Sequence, residues 1–293
     1  MSFEFEPIRI EQQAAYANKL ARCDQIASDY SFINLWGWAR EYGLQWAWED
    51  DLVYIRQTQP YPALWAPVGD WSAADWRKIL PMLQSSMNRI IRVPETLKEK
   101  WRVMDDQRLN FIETRGQWDY LYQRQDLVAL QGNRYHKKKN LVNQFQKNYS
   151  ALYLPFGAEM IDQALAMQED WCTWRDCESH ETLAAENKAI EHILGHWRQL
   201  PGITGGAIRV EGALAAYTIA EIMPDQSLVI HFEKGDPDFK GSYQAINQMF
   251  LKQAPPSITL VNREQDLDND GLRKAKLSYH PVDFIKKWEV RFQ

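Results

Sequence analysis

The pattern of apolar and polar residues predicts a mixture of helices and strands in the first part of the chain. Apolar residues recur at helical spacing over Glu11–Cys23 and again after Ser28, which predicts two amphipathic helices. Leu44–Trp48 and Leu52–Gln57 flank a short polar turn and predict a hairpin. Further predicted elements are a helix that Ser72 caps and Pro81 kinks or ends, and strands at Ile90–Val93, Arg102–Met104 and Asn110–Glu113.

The second part of the chain changes from helical periodicity to strand patterns. Helices are predicted at 134–149, 159–175 and 181–198, then strands at 203–210, 213–222 and 227–234, a helix at 242–253, a strand at 258–264, a helix at 270–277 and a strand at 284–292. The three central strands predict an antiparallel meander. The helix after them crosses to a parallel strand, which predicts a mixed sheet. N-acyltransferase folds have this element order, and other α/β folds share parts of it.

Composition indicates an ordinary globular protein with an uneven first half. The 293 residues carry a formal net charge of −5, which argues against a general nucleic-acid binder, and 45% are hydrophobic, enough for a large core. Nine of the 13 tryptophans precede residue 126, and we expect them to be core residues. Two domains are predicted, at 1–125 and 126–293, with the functional site in the second.

The ends and cysteines indicate a cytoplasmic protein. Cys23, Cys172 and Cys177 form no even framework, and the first residues lack the basic and apolar regions of a signal peptide. We therefore expect reduced cysteines. Apolar stretches are far shorter than the roughly 20 residues of a membrane-spanning helix, so no transmembrane segment is predicted. His192 and His196 are four residues apart, but no third ligand is evident, and no metal is predicted.

A local run of basic residues stands out against the acidic total. No acidic residue occurs between Leu127 and Ala158, whereas five basic residues do. Such a helix face is either solvated, paired with the acidic stretch that follows, or a patch for the phosphates of tRNA or lipid head groups. The candidate patch comprises Tyr135, His136, Lys137, Lys138 and Lys139.

Candidate chemistry is concentrated in the last third of the chain. His231 and Glu233 are two residues apart on a predicted strand, so they are expected on one face, as a general base and its partner or on a solvated outer face. The loop from Gly235 to Gly241 precedes a helix and is either an anion site or a plain turn. Polar residues from Asn262 to Leu267 follow a strand end, where ligand sites of α/β sheets lie, and the next helix adds cations. The charged side chains of this group are Arg263, Glu264, Asp266, Arg273, Lys274 and Lys276.

Several longer strings resemble a known family. They are Leu130-x-Gly132-x-x-Tyr135-His-Lys-Lys-Lys-Asn140, His231-Phe-Glu-Lys234, Gly241-x-Tyr243-Gln244, Asn262-Arg-Glu-Gln-Asp-Leu267 and Gly271-Leu-Arg-Lys-Ala-Lys-x-Ser-Tyr279-x-Pro281. Together they resemble the soluble family related to the C-terminal domain of phosphatidylglycerol lysyltransferases. The resemblance implies an α/β (α+β) protein with a tandem GNAT-like N-acyltransferase fold, two mixed sheets flanked by helices, and a degenerate first domain.

The resemblance also implies a reaction. Relatives move an aminoacyl group from a charged tRNA to a lipid hydroxyl, so aminoacyl-tRNA is the expected donor and a lipid or other small molecule the acceptor, with peripheral contact to anionic lipid. Acyl-CoA is the alternative donor, no other cofactor is required, and a non-catalytic ligand-binding module is a third alternative. The pattern leaves the oligomeric state open.

Roles follow from the chemistry of ester transfer. A base deprotonates the acceptor, donors hold the oxyanion, and cations hold phosphate. His231 or Glu233 is the candidate base, and Asn262 is expected to hold the oxyanion together with backbone N–H groups near Gly241 to Tyr243. The expected substrate-binding residues are Lys234, Tyr243, Arg263, Glu264, Asp266, Arg273, Lys274 and Lys276. Lys137 to Lys139 are expected to contact the acceptor arm of the tRNA or the lipid head group.

Overall fold

The computed structural model describes residues 3–104, 107–175 and 181–293. The chain forms two compact units: the first contains Met1–Asp119, Gln265–Asp270 and Phe284–Gln293, and the second contains Tyr120–Glu264 and Gly271–Asp283. The sequence prediction divides the chain once, near residue 125, whereas the first unit ends at Asp119 and takes back two later segments. The difference arises because the strand Lys287–Phe292, near the end of the chain, pairs with the strands Arg89–Pro94 and Leu109–Glu113 of the first unit, and local composition gives no sign of such long-range pairing.

The elements alternate along the chain. Up to residue 113 they are β1 (Glu6–Pro7), α1 (Gln13–Leu20), α2 (Phe32–Gly37), α3 (Ala39–Tyr42), β2 (Gln45–Glu49), β3 (Leu52–Gln57), β4 (Ala63–Trp65), β5 (Val68–Gly69), α4 (Trp76–Ser86), β6 (Arg89–Pro94), α5 (Glu95–Arg102) and β7 (Leu109–Glu113). From residue 119 they are β8 (Asp119–Gln123), α6 (Arg124–Ala129), α7 (His136–Asn148), β9 (Ala151–Pro155), α8 (Ile161–Arg175), α9 (Glu181–Gly195), β10 (Ile203–Val210), β11 (Ala213–Ile222), β12 (Leu228–Gly235), α10 (Ser242–Gln253), β13 (Leu260–Asn262), α11 (Asp270–Leu277), β14 (Asp283–Ile285) and β15 (Lys287–Phe292).

Two mixed sheets organise the described residues. The first has the order β1-β2-β3-β4-β6-β15-β7 with β5 beside β3, and it is mixed because β4 and β6 run parallel. The second has the order β14-β8-β13-β12-β11-β10-β9. The predicted meander of β10, β11 and β12 is confirmed, and so is the parallel pairing of β12 with β13. Strands β8 and β9 of this sheet were not predicted, and neither were β1, β4 and β5 of the first sheet. The single strand predicted at 284–292 is divided between β14 of the second sheet and β15 of the first.

Two local predictions in the first unit are wrong. Residues from Arg102 to Met104 do not form a strand, because α5 runs to Arg102 and buries Leu97 and Trp101, four residues apart on one helix face. The helix expected from Ser72 begins at Trp76 and continues through Pro81 to Ser86. A short apolar run reads equally well as helix or strand, which explains the first error.

Tryptophans form part of the core of the first unit, as predicted. The side chains of Trp46, Trp71 and Trp101 are at most 1% exposed. Tyr16 stacks on Trp46 with 5.5 Å between the ring centroids, and Trp76 meets Trp101 edge to face. Aromatic pairs in these arrangements stabilise beyond the apolar area that they bury.

The first unit also buries a cluster of charges. Lys287 Nζ lies 2.6 Å from Asp119 Oδ1 and also contacts Asp29, which Arg92 contacts in turn. Gln265 Nε2 donates to Asp119 Oδ1 at 2.7 Å. Burial alone would raise the pKa of Asp29, but Lys287 and Arg92 lower it below its ordinary value. Two carboxylates and two cations thus balance in a site closed to water.

The cysteines differ from the expectation at one position. Cys23 is a free thiol that accepts the backbone N–H of Gly69, and its burial raises its pKa to about 12. Cys172 is disulfide-bonded, so the expectation of three reduced cysteines is wrong there. Cys177 lies outside the described residues. In the described ranges, no helix combines the length and the apolar character needed to cross a membrane.

In the second unit, α7 and α10 pack closely over the sheet. Phe145 of α7 and Ile246 of α10 are completely buried against Ile208 and Ala216 of the strands. The helices meet at Gly241, just before α10, where the backbone is left-handed with φ of +93°. A methyl group at Gly241 would lie 2.5 Å from the backbone oxygen of Leu141. Only glycine allows this approach.

Replacement of this glycine therefore tests the packing of α7 on α10. Gly241→Ala should lower the free energy of unfolding by about 3 kcal/mol or more, since a left-handed non-glycine residue costs about 1–2 kcal/mol and the clash adds about 1–3 kcal/mol. Gly212→Ala is the matched control, because Gly212 has φ of +88° but no heavy atom within 4 Å of the new methyl group. It should show the backbone cost alone. Equal losses in urea titrations of the two variants would contradict the close approach.

Candidate active site

The candidate site lies where β12 and β13 diverge in the second unit. Among the described residues their parallel pairing consists of Leu228 with Val261 and Val229 with Asn262. Beyond Asn262 the chain turns to β8: Arg263 N donates to Tyr120 O at 3.0 Å, and Tyr120 N donates to Glu264 O at 3.2 Å. The second half of β12 thus separates from this chain. Side chains rather than backbone bonds fill the resulting split.

A β-bulge at His231 changes which side chains share a face. The register pairs Ile230 with Ala220 and Phe232 with Ile219, so the partner strand has no residue opposite His231. Because faces alternate along a strand, the extra residue reverses the alternation beyond it. The prediction that His231 and Glu233 share one face is therefore wrong. Sequence periodicity cannot locate a one-residue bulge.

His231 is held between two carboxylates. Its Nδ1 lies 2.9 Å from Glu264 Oε1 and its Nε2 lies 3.5 Å from Glu221 Oε2, and its side chain is completely buried. Burial alone would lower the pKa of His231, but the hydrogen bonds to Glu221 and Glu264 raise it to about 9. The ring is therefore an imidazolium at neutral pH. Because each ring nitrogen faces a carboxylate, His231 fits a fixed cation better than a general base, which favours Glu233 of the two candidate bases.

Glu233 lies on the other face and is also held from two sides. Arg263 Nη2 donates to Glu233 Oε1 at 2.9 Å, and Asn247 Nδ2 of α10 donates to Glu233 Oε2 at 2.8 Å. The Glu233 side chain is 9% exposed. The carboxylate therefore has a fixed orientation and retains lone pairs for a further hydrogen bond.

Two cations gather on the ring of Tyr279. The guanidinium carbon of Arg263 lies 4.7 Å from the ring centroid, and Lys138 Nζ lies 4.3 Å from it. Partial burial and the nearby charge of Arg263 lower the pKa of Lys138. In the described part of the chain, Arg263 bonds Glu233 through Nη2 and also hydrogen-bonds the Tyr279 side chain, whereas its buried Nη1 makes no well-formed hydrogen bond. A buried donor without a partner is costly, so this nitrogen suits an oxygen of a bound ligand.

Two further predicted site residues, Asn262 and Asp266, make contacts within the protein. Asn262 Oδ1 accepts the backbone N–H of Glu264 at 2.8 Å, and Glu264 has φ of 56°, so Asn262 forms the turn that aims Glu264. Asp266 is completely buried in the first unit, where Arg115 Nη1 contacts it at 3.3 Å. We correct its predicted contact with substrate, since Asp266 is closed to solvent.

Lys234 and Tyr243 lie at the far end of β12. Lys234 Nζ donates to Glu186 Oε2 at 2.7 Å and lies 3.5 Å from the ring centroid of Trp171. The hydroxyl of Tyr243 accepts Trp171 Nε1–H at 2.9 Å. These two predicted substrate-binding residues therefore belong together, in a second cluster that joins the end of β12 to α8 and α9.

The loop before α10 has its N–H groups occupied. Asp236 N donates to Ala215 O, Phe239 N to Asp236 O and Ser242 N to Phe239 O. The N–H groups of Asp238 and Lys240 donate to Asp236 Oδ1 and to Tyr149 Oη. Five donors are thus used within the protein, which favours the plain turn over the anion site.

The two predicted basic groups divide between site and surface. Lys276 Nζ donates to the backbone oxygen of Arg263, whereas Lys274 is exposed and Arg273 is partly buried. On α7, Lys138 turns inward while His136, Lys137 and Lys139 are exposed. Tyr135 is 1% exposed and donates its hydroxyl to Tyr279 O at 3.2 Å. We correct its assignment to the surface patch, because it is a core residue.

Sequence reasoning gave no role to several side chains of the site. Glu221 contacts His231, and Asn247 donates a hydrogen bond to Glu233. The ring of Tyr279 packs against the cations of Arg263 and Lys138. Only Tyr279 has a signal in the sequence, since it lies within the string that resembles the family. Glu221 and Asn247 come from a neighbouring strand and helix, where only the pairing brings them near.

Comparison with known proteins identifies the family of the chain. The family described as phosphatidylglycerol lysyltransferase, C-terminal, matches residues 20–291. An uncharacterized protein of Mycoplasmoides gallisepticum is 25% identical over 180 residues, which are 59% of this chain and 56% of that protein, so the match spans about half of the relative.

Solved structures share the fold. A conserved protein of unknown function from Bacteroides thetaiotaomicron is 29% identical with a TM-score of 0.92, covering 99% of this chain and 100% of that one. L-PGS from Bacillus licheniformis is 12% identical with a TM-score of 0.65, covering 100% of this chain and 93% of that one. The predicted tandem GNAT-like fold with two mixed sheets is confirmed.

The His231 cluster makes stability depend on pH. The pKa is about 9 in the folded protein against 6.5 ordinarily, so the stabilisation is complete below pH 6.5 and is lost as the pH rises to about 9. We expect a loss of about 3 kcal/mol in the free energy of unfolding over this interval, at about 1.4 kcal/mol per pKa unit. His231→Asn should be less stable at neutral pH and should lose this slope.

Urea titrations at both ends of the interval measure the effect. His136→Gln is the control, because His136 is exposed on α7 and should leave the slope unchanged. A wild-type protein whose stability stays constant across the interval would contradict the charged state of His231.

Proposed function

The chain belongs to the family of the phosphatidylglycerol lysyltransferase C-terminal domain, and on that premise we propose that it transfers an aminoacyl group from aminoacyl-tRNA to the hydroxyl of a lipid or other small acceptor. Family and fold make it an acyltransferase-like domain. The observation that carries the proposal is the fixed Glu233 carboxylate beside Arg263, whose buried Nη1 makes no well-formed hydrogen bond among the described residues.

The proposed reaction needs a proton acceptor and an oxyanion donor. The acceptor oxygen forms a bond to the ester carbon, and the bond from that carbon to the ribose oxygen of tRNA breaks. Glu233 takes the proton of the acceptor hydroxyl and returns it to the departing ribose oxygen. Arg263 Nη1–H donates to the oxyanion of the tetrahedral intermediate, which develops only during the reaction. No net proton is gained or lost.

The surrounding residues keep these two groups in position. Asn247 and Arg263 fix the Glu233 carboxylate from opposite sides. Lys138 is the second cation near the acceptor or donor phosphate, since it lies on the same ring as Arg263. His231 is a fixed cation that orients Glu264, and it takes no part in proton transfer.

The choice of tRNA over acyl-CoA as donor rests on two observations. Four N–H groups of the loop before α10 and that of Ser242, the first helix residue, donate within the protein, so fewer donors are left there for a pyrophosphate. Helix α7 exposes Lys137, Lys139 and Lys147 around its solvent side, and no acidic residue occurs between Leu127 and Ala158. Such a helix suits the phosphates of a tRNA acceptor arm.

Substitution of Glu233 and Arg263 tests the roles. With labelled aminoacyl-tRNAs and a lipid extract, Glu233→Gln should reduce label transfer about 100-fold or more, since a positioned base contributes about 10²–10⁴. Arg263→Lys should reduce it about 100-fold, because lysine lacks the forked geometry while keeping the charge. Single-turnover rates separate these effects from donor binding.

Glu211→Gln is the matched control, because Glu211 is an exposed carboxylate of the same unit, in the turn between β10 and β11. It should transfer at the wild-type rate. Unchanged transfer by Glu233→Gln would remove the base assignment. Transfer from labelled acyl-CoA and none from aminoacyl-tRNA would overturn the donor assignment.

The salt dependence of tRNA binding tests the α7 lysines separately. Lys137→Gln with Lys139→Gln should weaken binding and reduce the slope of log K against log salt by about 2, roughly one for each phosphate that is no longer neutralised. Lys240→Gln is the control, since Lys240 is exposed outside this helix. Filter binding with uncharged tRNA at several salt concentrations gives the slopes, and equal slopes for all three proteins would exclude the α7 lysines.

A further inference from the structure

The first sheet contains a parallel strand pair built like the pair at the candidate site. The connection from β4 to β6 contains the helix α4, as the connection from β12 to β13 contains α10. Among the described residues, the parallel pairing ends at Ile91 of β6 in the first sheet and at Asn262 of β13 in the second. In each sheet the next residue is an arginine, Arg92 and Arg263 respectively. The first unit thus has its own counterpart of Arg263.

The strands of this pair also separate beside the arginine. Ala66 N donates to Ile91 O at 3.0 Å, and the chain then leaves β6 to form β5 beside β3. On the other side of β6, Ile91 and Arg92 lie opposite the single residue Glu289 of β15, which makes a β-bulge. Arg92 has φ of 58°, a conformation that residues other than glycine adopt rarely and that recurs at ligand-binding sites.

The Arg92 guanidinium has a fixed orientation but unused hydrogen-bonding capacity. Its carbon lies 4.1 Å from the ring centroid of Trp65 and 5.7 Å from that of Tyr42. Nη1 donates to Asp29, whereas the buried Nε makes no well-formed hydrogen bond with the described residues. A buried donor without a partner is costly, so Nε suits an acceptor atom of a ligand. The Arg92 side chain is 11% exposed, whereas those of Asp29 and Lys287 are at most 1% exposed, so a ligand from solvent meets Arg92 first.

The geometry of the guanidinium and the charge around it indicate the class of ligand. Nε–H and one N–H of Nη2 point from the same edge of an arginine, and this edge matches the two oxygens of a carboxylate. In the buried cluster, Arg92 and Lys287 already balance the charges of Asp29 and Asp119. A singly charged anion therefore costs less to bind than a phosphate dianion, and the neutralised carboxylates are not available to a metal ion.

We propose that the first unit binds a small monocarboxylate with a flat apolar body at Arg92. The carboxylate accepts hydrogen bonds from the Nε edge of Arg92, and the body of the ligand contacts the rings of Trp65 and Tyr42. The inference goes beyond the proposed reaction, because Arg92 belongs to the first unit and Arg263 to the second. Carboxylate binding is measured without an acyl donor, so either proposal can fail alone.

Isothermal titration calorimetry of the full chain with benzoate tests the site. Benzoate should bind at one saturable site with a Kd on the order of 1 mM, the range expected of a ligand with about nine non-hydrogen atoms. Benzamide should bind at least tenfold more weakly, because it has the same ring and shape but no charge. Inorganic phosphate should also bind at least tenfold more weakly, because it lacks the ring and carries more charge.

Two variants separate the guanidinium from the ring. Arg92→Lys should weaken benzoate binding about tenfold or more, because lysine keeps a charge beside Asp29 but has no Nε–H edge. Tyr42→Leu should weaken it about threefold, because a ring contact is lost while the pair of Arg92 with Asp29 is kept. Urea titrations show whether each variant is folded, and Tyr42→Leu carries the test if Arg92→Lys does not fold.

Matched controls make the same arginine change elsewhere. Arg77 is exposed on α4 of the first unit, and Arg263 belongs to the candidate site of the second. Arg77→Lys and Arg263→Lys should both bind benzoate as the wild type does. Equal affinities for benzoate and benzamide, no saturable binding, or unchanged binding in either Arg92→Lys or Tyr42→Leu would overturn the proposal. So would a loss of benzoate binding in Arg263→Lys, which would assign the carboxylate to the candidate site instead.

Discussion

The candidate site depends on two charge pairs that span the split between β12 and the chain after β13. Adjacent residues, Arg263 and Glu264, contact Glu233 and His231 respectively. Each pair joins a cation to a carboxylate: Arg263 and Glu264 are adjacent in the chain after β13, and His231 precedes Glu233 by two residues on β12. Because buried charges are stable only when paired, loss of one partner leaves an uncompensated charge in the split. The contacts that span the split thus also fix the orientation of the candidate catalytic side chains, Glu233 and Arg263.

Much of the second unit was predictable because its signals are local. The meander of β10, β11 and β12 and the helix α10 follow from alternation, short turns and helical spacing, and the structure places them at the expected residues. The parallel pairing of β12 and β13 follows from the crossover helix. The polar residues from Asn262 to Leu267 correctly indicated that the candidate site lies at the carboxyl end of β13.

What sequence could not give depends on single-residue register and on distant pairing. The bulge at His231 moves Glu233 to the other face, and no periodicity reveals it. Tyr135 lies in a basic run but is buried, because its hydroxyl reaches Tyr279, which is 144 residues away. Asp266 is a carboxylate in a polar string and was therefore expected to bind substrate, yet it is completely buried against Arg115. In each case a polar side chain was assigned from its type before its partner was known.

The buried cluster around Lys287 has a consequence for how such a chain can be divided. Lys287 is the first residue of β15, the strand between β6 and β7, and it neutralises Asp29 and Asp119 from the far end of the sequence. A fragment that ends before Lys287 would lack the strand between β6 and β7, and both Asp29 and Asp119 would lose their contact with the Lys287 ammonium. The first unit is therefore discontinuous by electrostatic necessity as well as by topology. A continuous fragment of the chain cannot reproduce it without also containing the whole second unit.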